Sequence, residues 1–382
     1  MGSGLLWQGV RAPRVYASGI LVWRTGRRKR GCVLPNPCKP SFTCDYEEGA
    51  HPAILARLQE TNWEKAAGYG LDAYSESARA RIREAIGCPD AEVHFLLGGT
   101  QVNAVMIDSL LAPCQGVIAP ESGHVSLHEA GAIERTGHKV LAVPQADGKM
   151  KVCDVAAAIA AWEDDLNRDH MVMPGMVYVT HPTEFGTLYT LAELEEMSAL
   201  CHAHGLRFYL DGARFAYALA CPENDVALTD LPRLFDAFYL GGTKCGALLG
   251  EAAVFPRPGT VPHFFSIQKQ HGALLAKGRL LGIQFDELFR DGLYGRIGVP
   301  AIESAQRIRA ALQQAGFQQC YGSPTNQSFA IVADADLPRL GEMVVYDFWE
   351  KLDADHTIIR LCTSWATRAE DVDTLVEALS QW

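Results

Sequence analysis

Two stretches of the sequence join a buried-strand pattern to a residue able to do chemistry. Leu206-Arg-Phe-Tyr-Leu-Asp211-Gly212-Ala213-Arg214 carries an apolar run straight into an aspartate. A carboxylate beside a core is costly to keep charged unless a cation faces it, and such a partner lowers its pKa. A helix N-cap is the other use of an aspartate at this place. The second stretch, Phe238-Tyr-Leu-Gly241-Gly242-Thr243-Lys244-Cys245-Gly246, sets a lysine among glycines after a buried strand. Glycines let a flat ligand approach the backbone. Desolvation lowers a lysine pKa, as an amine needs in order to attack a carbonyl and form a Schiff base. Phosphate-binding loops also place a lysine among glycines, but the spacing G-x-x-x-x-G-K-[ST] is absent here.

An aspartate and a lysine at two neighbouring strand ends together suit pyridoxal phosphate: the lysine holds the aldehyde as an imine and the aspartate pairs with the protonated ring nitrogen. A third stretch, Leu96-Leu97-Gly98-Gly99-Thr100-Gln101-Val102-Asn103, leads into a helix. Backbone N–H groups and the helix dipole make such a start a seat for phosphate; a tight strand-to-helix turn is its plain structural alternative.

Stepping outward, these residues need a sheet whose strands end side by side. Gly116 to Ala119, Lys139 to Val143, Met176 to Thr180, Leu206 to Leu210 and Ala237 to Leu240 read as short apolar strands. Between them, Ser75 to Ile86 and His124 to Thr136 read as helices, and Thr190-Leu-Ala-Glu193 is a capping box opening a helix that ends at Gly205. Alternation of this kind predicts an α/β fold with a mostly parallel sheet covered on both faces, and ligands beyond the carboxyl ends of the strands. The last ninety or so residues change texture. A helix from Ile302 to Ala315, strands at Ser328 to Ala333 and Thr357 to Cys362, and a closing helix from Ala369 to Leu379 predict a smaller α+β domain joined near Gly298-Val299-Pro300. The expected organisation is an extension over 1–40, a large domain over 41–297 and a small domain over 298–382.

Across 382 residues the formal net charge is −11. It is unevenly spread: residues 1–44 hold eight basic side chains and no acidic one, leaving 26 basic against 45 acidic side chains, a net −19, in the remainder. A body that acidic repels a polyanion, which argues against nucleic acid as a partner. No apolar run approaches the ~18–20 residues of a membrane helix. The eleven cysteines are scattered singly without C-x-x-C spacing, which favours free thiols in a reducing cytoplasm over a zinc ribbon or disulfide scaffold. The basic leader reads as a disordered extension in preference to a transit peptide, and removing residues 1–38 is expected to leave activity intact.

From about Phe42 to Trp365 the chain resembles the threonine aldolase and β-eliminating lyase family of fold-type I pyridoxal phosphate enzymes. The resemblance rests on G-Y-G-x-D (Gly68 to Asp72), G-G-T-Q-x-N (Gly98 to Asn103), G-H-x-x-x-H-E-x-G-A (Gly123 to Ala132), D-G-K (Asp147 to Lys149), T-E-x-G-T-x-Y (Thr183 to Tyr189), D-G-A-R (Asp211 to Arg214), G-G-T-K-x-G (Gly241 to Gly246) and K-Q-x-G-A (Lys269 to Ala273). It implies an aspartate-aminotransferase-like fold, a homodimer or homotetramer with active sites between subunits, and a small amino acid as substrate.

By the same resemblance, Lys244 would hold the cofactor, Asp211 would pair with its ring nitrogen, Gly99, Thr100 and Gln101 would hold its phosphate, and His124 would stack on its ring. Arg214 and Arg360 would clamp the substrate carboxylate, with the planar fork that favours arginine for this task. Tyr69 and Lys269 would reach a neighbouring subunit's site, Lys269 toward the cofactor. His124 and His128, at i and i+4, could otherwise be read as a metal pair, but no third ligand is evident and no metal is expected. Two departures from the family pattern bear on the substrate. Glu184 stands where some members carry a histidine that contacts the substrate hydroxyl, and Cys44-Asp45 replaces a Ser-Asp pair. His181, close by, is expected to be structural. The implied reaction is Cα–Cβ cleavage of a β-hydroxy amino acid, threonine giving glycine and acetaldehyde. β-Elimination or transamination on another amino acid is the alternative that the same cofactor allows.

Overall fold

Alternate residues of three adjacent strands face different surroundings. Val177, Val179, Phe208, Leu210, Phe238 and Leu240 pack into one core cluster. Tyr178, Tyr209 and Tyr239 pack with Val102, Val105 and Met106 into another. This is the period of two that a strand imposes, and a sheet covered on both faces makes it read in sequence as an unbroken apolar run.

In the computed structural model the described residues are 39–382; the leader 1–38, with Cys32 and Cys38, lies outside them. The larger sheet contains β1 (Glu92–Leu96), β2 (Gln115–Pro120), β3 (Val140–Val143), β4 (Met173–Thr180), β5 (Arg207–Gly212), β6 (Ala237–Gly241) and β7 (Glu251–Phe255), in the order β1-β7-β6-β5-β4-β2-β3. Strands β6, β5, β4, β2 and β3 pair parallel, and β7 pairs antiparallel with both neighbours. The register sets Thr180 beside Asp211 and Asp211 beside Tyr239, a polar row at the carboxyl end of the sheet. Close strand packing there needs glycine. A Cβ at Gly241 would lie 2.1 Å from the carbonyl oxygen of Ala213.

A second sheet is wholly antiparallel, β10-β11-β9-β8, built from β8 (Gln318–Gln319), β9 (Gln327–Ala333), β10 (Asp347–Lys351) and β11 (His356–Cys362). The helices Val299–Gln314 and Ala369–Ser380 cover it through Ile308, Leu312, Leu375 and Leu379. Residues just after the leader join this layer. The Phe42 N–H donates to Val345 O (2.9 Å), the Cys362 N–H donates to Phe42 O (2.8 Å), and the Phe42 ring sits in the same core. No helix among the described residues is long and apolar enough to cross a membrane.

One expected element is different. The helix read over His124 to Thr136 is two short helices, His124–Leu127 and Ala132–Arg135. Between them Ala130 and Gly131 take positive φ (52° and 73°), a turn that glycine tolerates without a Cβ clash. The break turns the Glu129 carboxyl inward, where it is buried.

Candidate active site

A cavity of about 580 Å³ opens where the polar row of the large sheet meets β10 and β11. Lys244, Asp211, Glu184, His124, Arg214 and Arg360 all stand on its wall, with Gly98, Gly99 and Thr100. Residues up to 317 positions apart in sequence are in hydrogen-bond contact here.

Asp211 is the best-supported group. Its Oδ2 accepts from Tyr178 Oη (2.7 Å) and Asn103 Nδ2 (3.0 Å), and its Oδ1 from Tyr239 Oη (2.5 Å) and the Ala213 N–H (3.0 Å). Asn103 is itself fully used: its Oδ1 accepts from Tyr209 Oη at 3.0 Å, and its amide also donates to Glu129 Oε1 at 2.7 Å. Buried polar groups are costly unless satisfied, and this shell fixes the orientation of the carboxylate in the wall.

Lys244 follows β6 in a loop held from both sides. Its carbonyl accepts from Tyr217 Oη (2.6 Å), and two residues earlier the Gly242 N–H donates to Glu251 Oε2 (2.8 Å). Burial lowers the Lys244 pKa, and the charge of Arg214 lowers it further. Its Nζ has no hydrogen-bond partner among the described residues. Glu251, on the same wall, is pushed up to about 7, chiefly by burial.

His124 and Glu184 form a second acid–base group. The His124 N–H donates to Glu184 Oε1 (2.7 Å), which also accepts from Thr180 Oγ1 (2.9 Å). His124 Nδ1 pairs with Glu129 Oε1 at 2.8 Å. Burial raises the carboxyls of both Glu184 and Glu129, and one oxygen of each, Oε2, is buried without a partner. His128 stands on the same wall, its ring centroid 5.9 Å from that of His124.

Both arginines expected to clamp the substrate carboxylate carry internal partners. The Nε/Nη2 edge of Arg214 is filled: Nε and Nη2 donate to Asp45 Oδ2 (2.7 Å) and Oδ1 (3.1 Å), and Asn326 Nδ2 donates to Oδ2 (3.0 Å). The physical reason is Asp45 itself. Burial pushes its carboxyl up, but Arg214 and Lys244 outweigh that and hold it at about 2. A buried carboxylate needs such a partner, and two of the five N–H donors of Arg214 are spent on it, leaving Nη1 and the second Nη2 hydrogen for a ligand. Arg360 is as deeply set and donates through both Nη groups. Its Nη2 donates to Asp347 Oδ2 (2.9 Å) and Thr43 O (3.2 Å), and its Nη1 to Gln327 Oε1 (3.1 Å).

Gln101 and Lys269 do not line this cavity. Gln101 Oε1 accepts from the Leu97 N–H (3.2 Å), so that side chain ties the loop before its helix. Lys269 stacks on the Tyr69 ring, 4.7 Å from its centroid, and Tyr69 lines a separate cavity of about 320 Å³. His181 is fully buried, paired with Asn224 at 3.0 Å, and does not line the cavity. Sequence reasoning missed Asp45's hold on Arg214, the Asn103–Glu129 link, Glu251 and the β10 residues Asp347 and Trp349. The H-E and Q-x-N positions of the motifs were the only available signals for Glu129 and Asn103.

Comparisons with known proteins place the chain in a family. A family model described as beta-eliminating lyase matches residues 45–331. A low specificity L-threonine aldolase of Pseudomonas sp. (strain NCIMB 10558) is 32% identical over 269 residues, 70% of this chain and 76% of that one. The solved structure of Leishmania major threonine aldolase matches with a TM-score of 0.87 at 42% identity, covering 90% of this chain and 99% of that one. An aspartate aminotransferase from Thermus thermophilus, at 16% identity, 88% and 89% coverage and a TM-score of 0.64, shares the fold.

The site suits the cofactor such a family implies. Lys244 offers an unengaged amine of lowered pKa, and Asp211 a fixed carboxylate. Gly98 opens the helix Gly99–Leu110 without a side-chain cap, leaving its first N–H groups for an anion. The chain belongs to the family of beta-eliminating lyases and low-specificity threonine aldolases, pyridoxal-phosphate enzymes of fold type I that carry out lyase chemistry on small amino acids.

Proposed function

We propose that this protein cleaves the Cα–Cβ bond of β-hydroxy amino acids, converting L-threonine or L-allo-threonine to glycine and acetaldehyde. The observation that carries the reading is the sharing of one cavity wall by Lys244, Asp211, Arg360 and the His124–Glu184 pair. The relatives named above, themselves threonine aldolases, support the same substrate class.

Pyridoxal phosphate, when bound, supplies an electron sink for the pair released at Cα. Lys244 would hold it covalently, Asp211 would face its ring nitrogen, and Gly99 and Thr100 would seat its phosphate. Arg360, with the remaining N–H groups of Arg214, binds the substrate carboxylate and so fixes which bond at Cα is aligned for cleavage. His124 and Glu184 face the β-hydroxyl. With Nδ1 bound to Glu129, His124 keeps Nε2 as the acceptor for the hydroxyl proton. Glu184, raised by burial, can hold a proton and deliver it to Cα of the glycine fragment, the atom that must gain one once the aldehyde has left. A homodimer or homotetramer is part of the proposal. Tyr69, Leu71 and Phe265 are exposed apolar side chains around the second cavity, in keeping with a covered face there.

The deciding experiment incubates the purified, cofactor-loaded protein with L-threonine and L-allo-threonine and assays glycine and acetaldehyde. Equimolar products from either substrate are expected. Pyruvate and ammonia from serine without aldehyde from threonine would replace the reading with β-elimination, and a requirement for a 2-oxo acid would replace it with transamination.

A further inference from the structure

Arg360 already holds a carboxylate that the chain supplies. Asp347 lies directly across from it in the β10–β11 pair and bonds its Nη2 at 2.9 Å. The register shifts between Phe348 and Glu350, so Trp349 is an extra residue on β10, and its ring lies 5.1 Å from the guanidinium carbon of Arg360. Bulges of this kind re-aim side chains beside active sites. Asp347, Phe348, Trp349 and Arg360 all line the cavity.

The two internal acids are built differently. The Asp45 side chain is 0% exposed and meets its arginine through two bonds. The Asp347 side chain is 35% exposed, makes one bond to Arg360, and stands on β10, an edge strand paired on one side only. Arg360 Nε, in contrast, is buried without a partner, so the guanidinium is not saturated by its present neighbours. A planar guanidinium favours bidentate carboxylate binding, and Asp347 satisfies only part of that demand.

We propose that Asp347 is a displaceable occupant of the carboxylate subsite. It holds Arg360 ready while the site is empty of substrate and gives way to the α-carboxylate of the amino acid, so that it sets amino-acid affinity by competition. The inference rests on the reading of Arg360 as the carboxylate's partner. Removing the competitor tightens binding, whereas removing a residue that merely positions Arg360 weakens it; the sign separates the two roles.

The test is an equilibrium titration of the cofactor-loaded protein with glycine, followed by visible absorbance and by calorimetry, neither of which requires turnover. Asp347→Asn and Asp347→Ala are expected to bind glycine about fivefold more tightly, the ratio equivalent to about 1 kcal/mol. Unchanged or weaker binding in both variants overturns the proposal. Arg360→Gln in the same titration is expected to weaken binding about fiftyfold or more, a loss of the order expected when a buried charged hydrogen-bond partner is removed. If Arg360→Gln weakens binding while the Asp347 variants fail to tighten it, displacement alone is wrong. If Arg360→Gln leaves binding unchanged, the carboxylate role of Arg360 is wrong and the proposal falls with it.

Discussion

Replacing Asp45 by Asn tests how far the site depends on the buried ion pair that holds Arg214. The substitution leaves Arg214 charged and buried without a counter-ion, with side-chain exposures of 10% for Arg214 and 0% for Asp45 in the parent. Breaking a buried pair from one side costs about 3–5 kcal/mol. Part of that cost is linked to pH. The Asp45 carboxyl is depressed from 3.8 to about 2, equivalent to about 2 kcal/mol that is present above pH ~4 and lost as pH falls through about 2. Urea unfolding followed by circular dichroism at pH 7 therefore shows Asp45→Asn less stable by at least about 3 kcal/mol, and the gap narrows as acid protonates the parent. Adding Arg214→Met to Asp45→Asn removes the stranded charge and recovers most of the loss, because a buried pair replaced whole by apolar groups is close to neutral. A loss under about 1 kcal/mol at pH 7, or a double variant no better than the single one, refutes the reasoning.

Three further outcomes follow from the same geometry. Lys244→Ala reconstituted with pyridoxal phosphate lacks the visible absorbance of a lysine-bound cofactor and turns over no amino acid; retained colour and activity would reassign the lysine. Glu251→Gln stabilises the protein at pH 8 and not at pH 4. A carboxyl raised from 4.5 to about 7 costs stability progressively as pH rises between those values, up to about 3 kcal/mol, and thermal unfolding across pH 4–8 reads the difference. Gly241→Ala places a Cβ 2.1 Å from the Ala213 carbonyl oxygen, and soluble folded protein is expected to be lost; an unchanged Tm would show that β6 can shift to admit it.

Much of the frame was legible because strands covered on both faces leave apolar runs and helices leave caps. The Thr190–Glu193 capping box is present as read, with Thr190 accepting from the Glu193 N–H and Glu193 bonding back to the Thr190 N–H. The strands β1, β7 and β10 escaped notice for physical reasons. β1 and β7 are five residues long, and each carries a glutamate whose purpose appears only in the fold. β10 is a half-exposed edge carrying Asp347, Glu350 and Lys351, a pattern indistinguishable from a loop in sequence. Within the site, the strand-end positions pointed to Lys244 and Asp211, and the family resemblance to Glu184, His124 and Arg360; all five line one cavity. The sequence could not reveal that Arg214 was committed to Asp45, because the partners stand 169 residues apart. Nor could it show that the Gln101 side chain ties the loop before its helix through the Leu97 N–H.

The seating of Thr43 and Phe42 against β11 also has a consequence for how the protein is made. Thr43 O accepts from Arg360 across 317 residues, and a ribosome adding about 5–20 residues per second needs roughly 15–60 s to bridge that interval. During that wait the first-made edge of the site has no surface to close upon, and the large sheet must survive with Asp45 and Arg214 formed but their roof missing. Any chain cut short before β11 would carry the chemical groups of the large sheet without the arginine that receives a carboxylate. With Arg360 in the role proposed above, fragments that end before β11 are expected to be inert toward amino acids, and competence arrives late in synthesis.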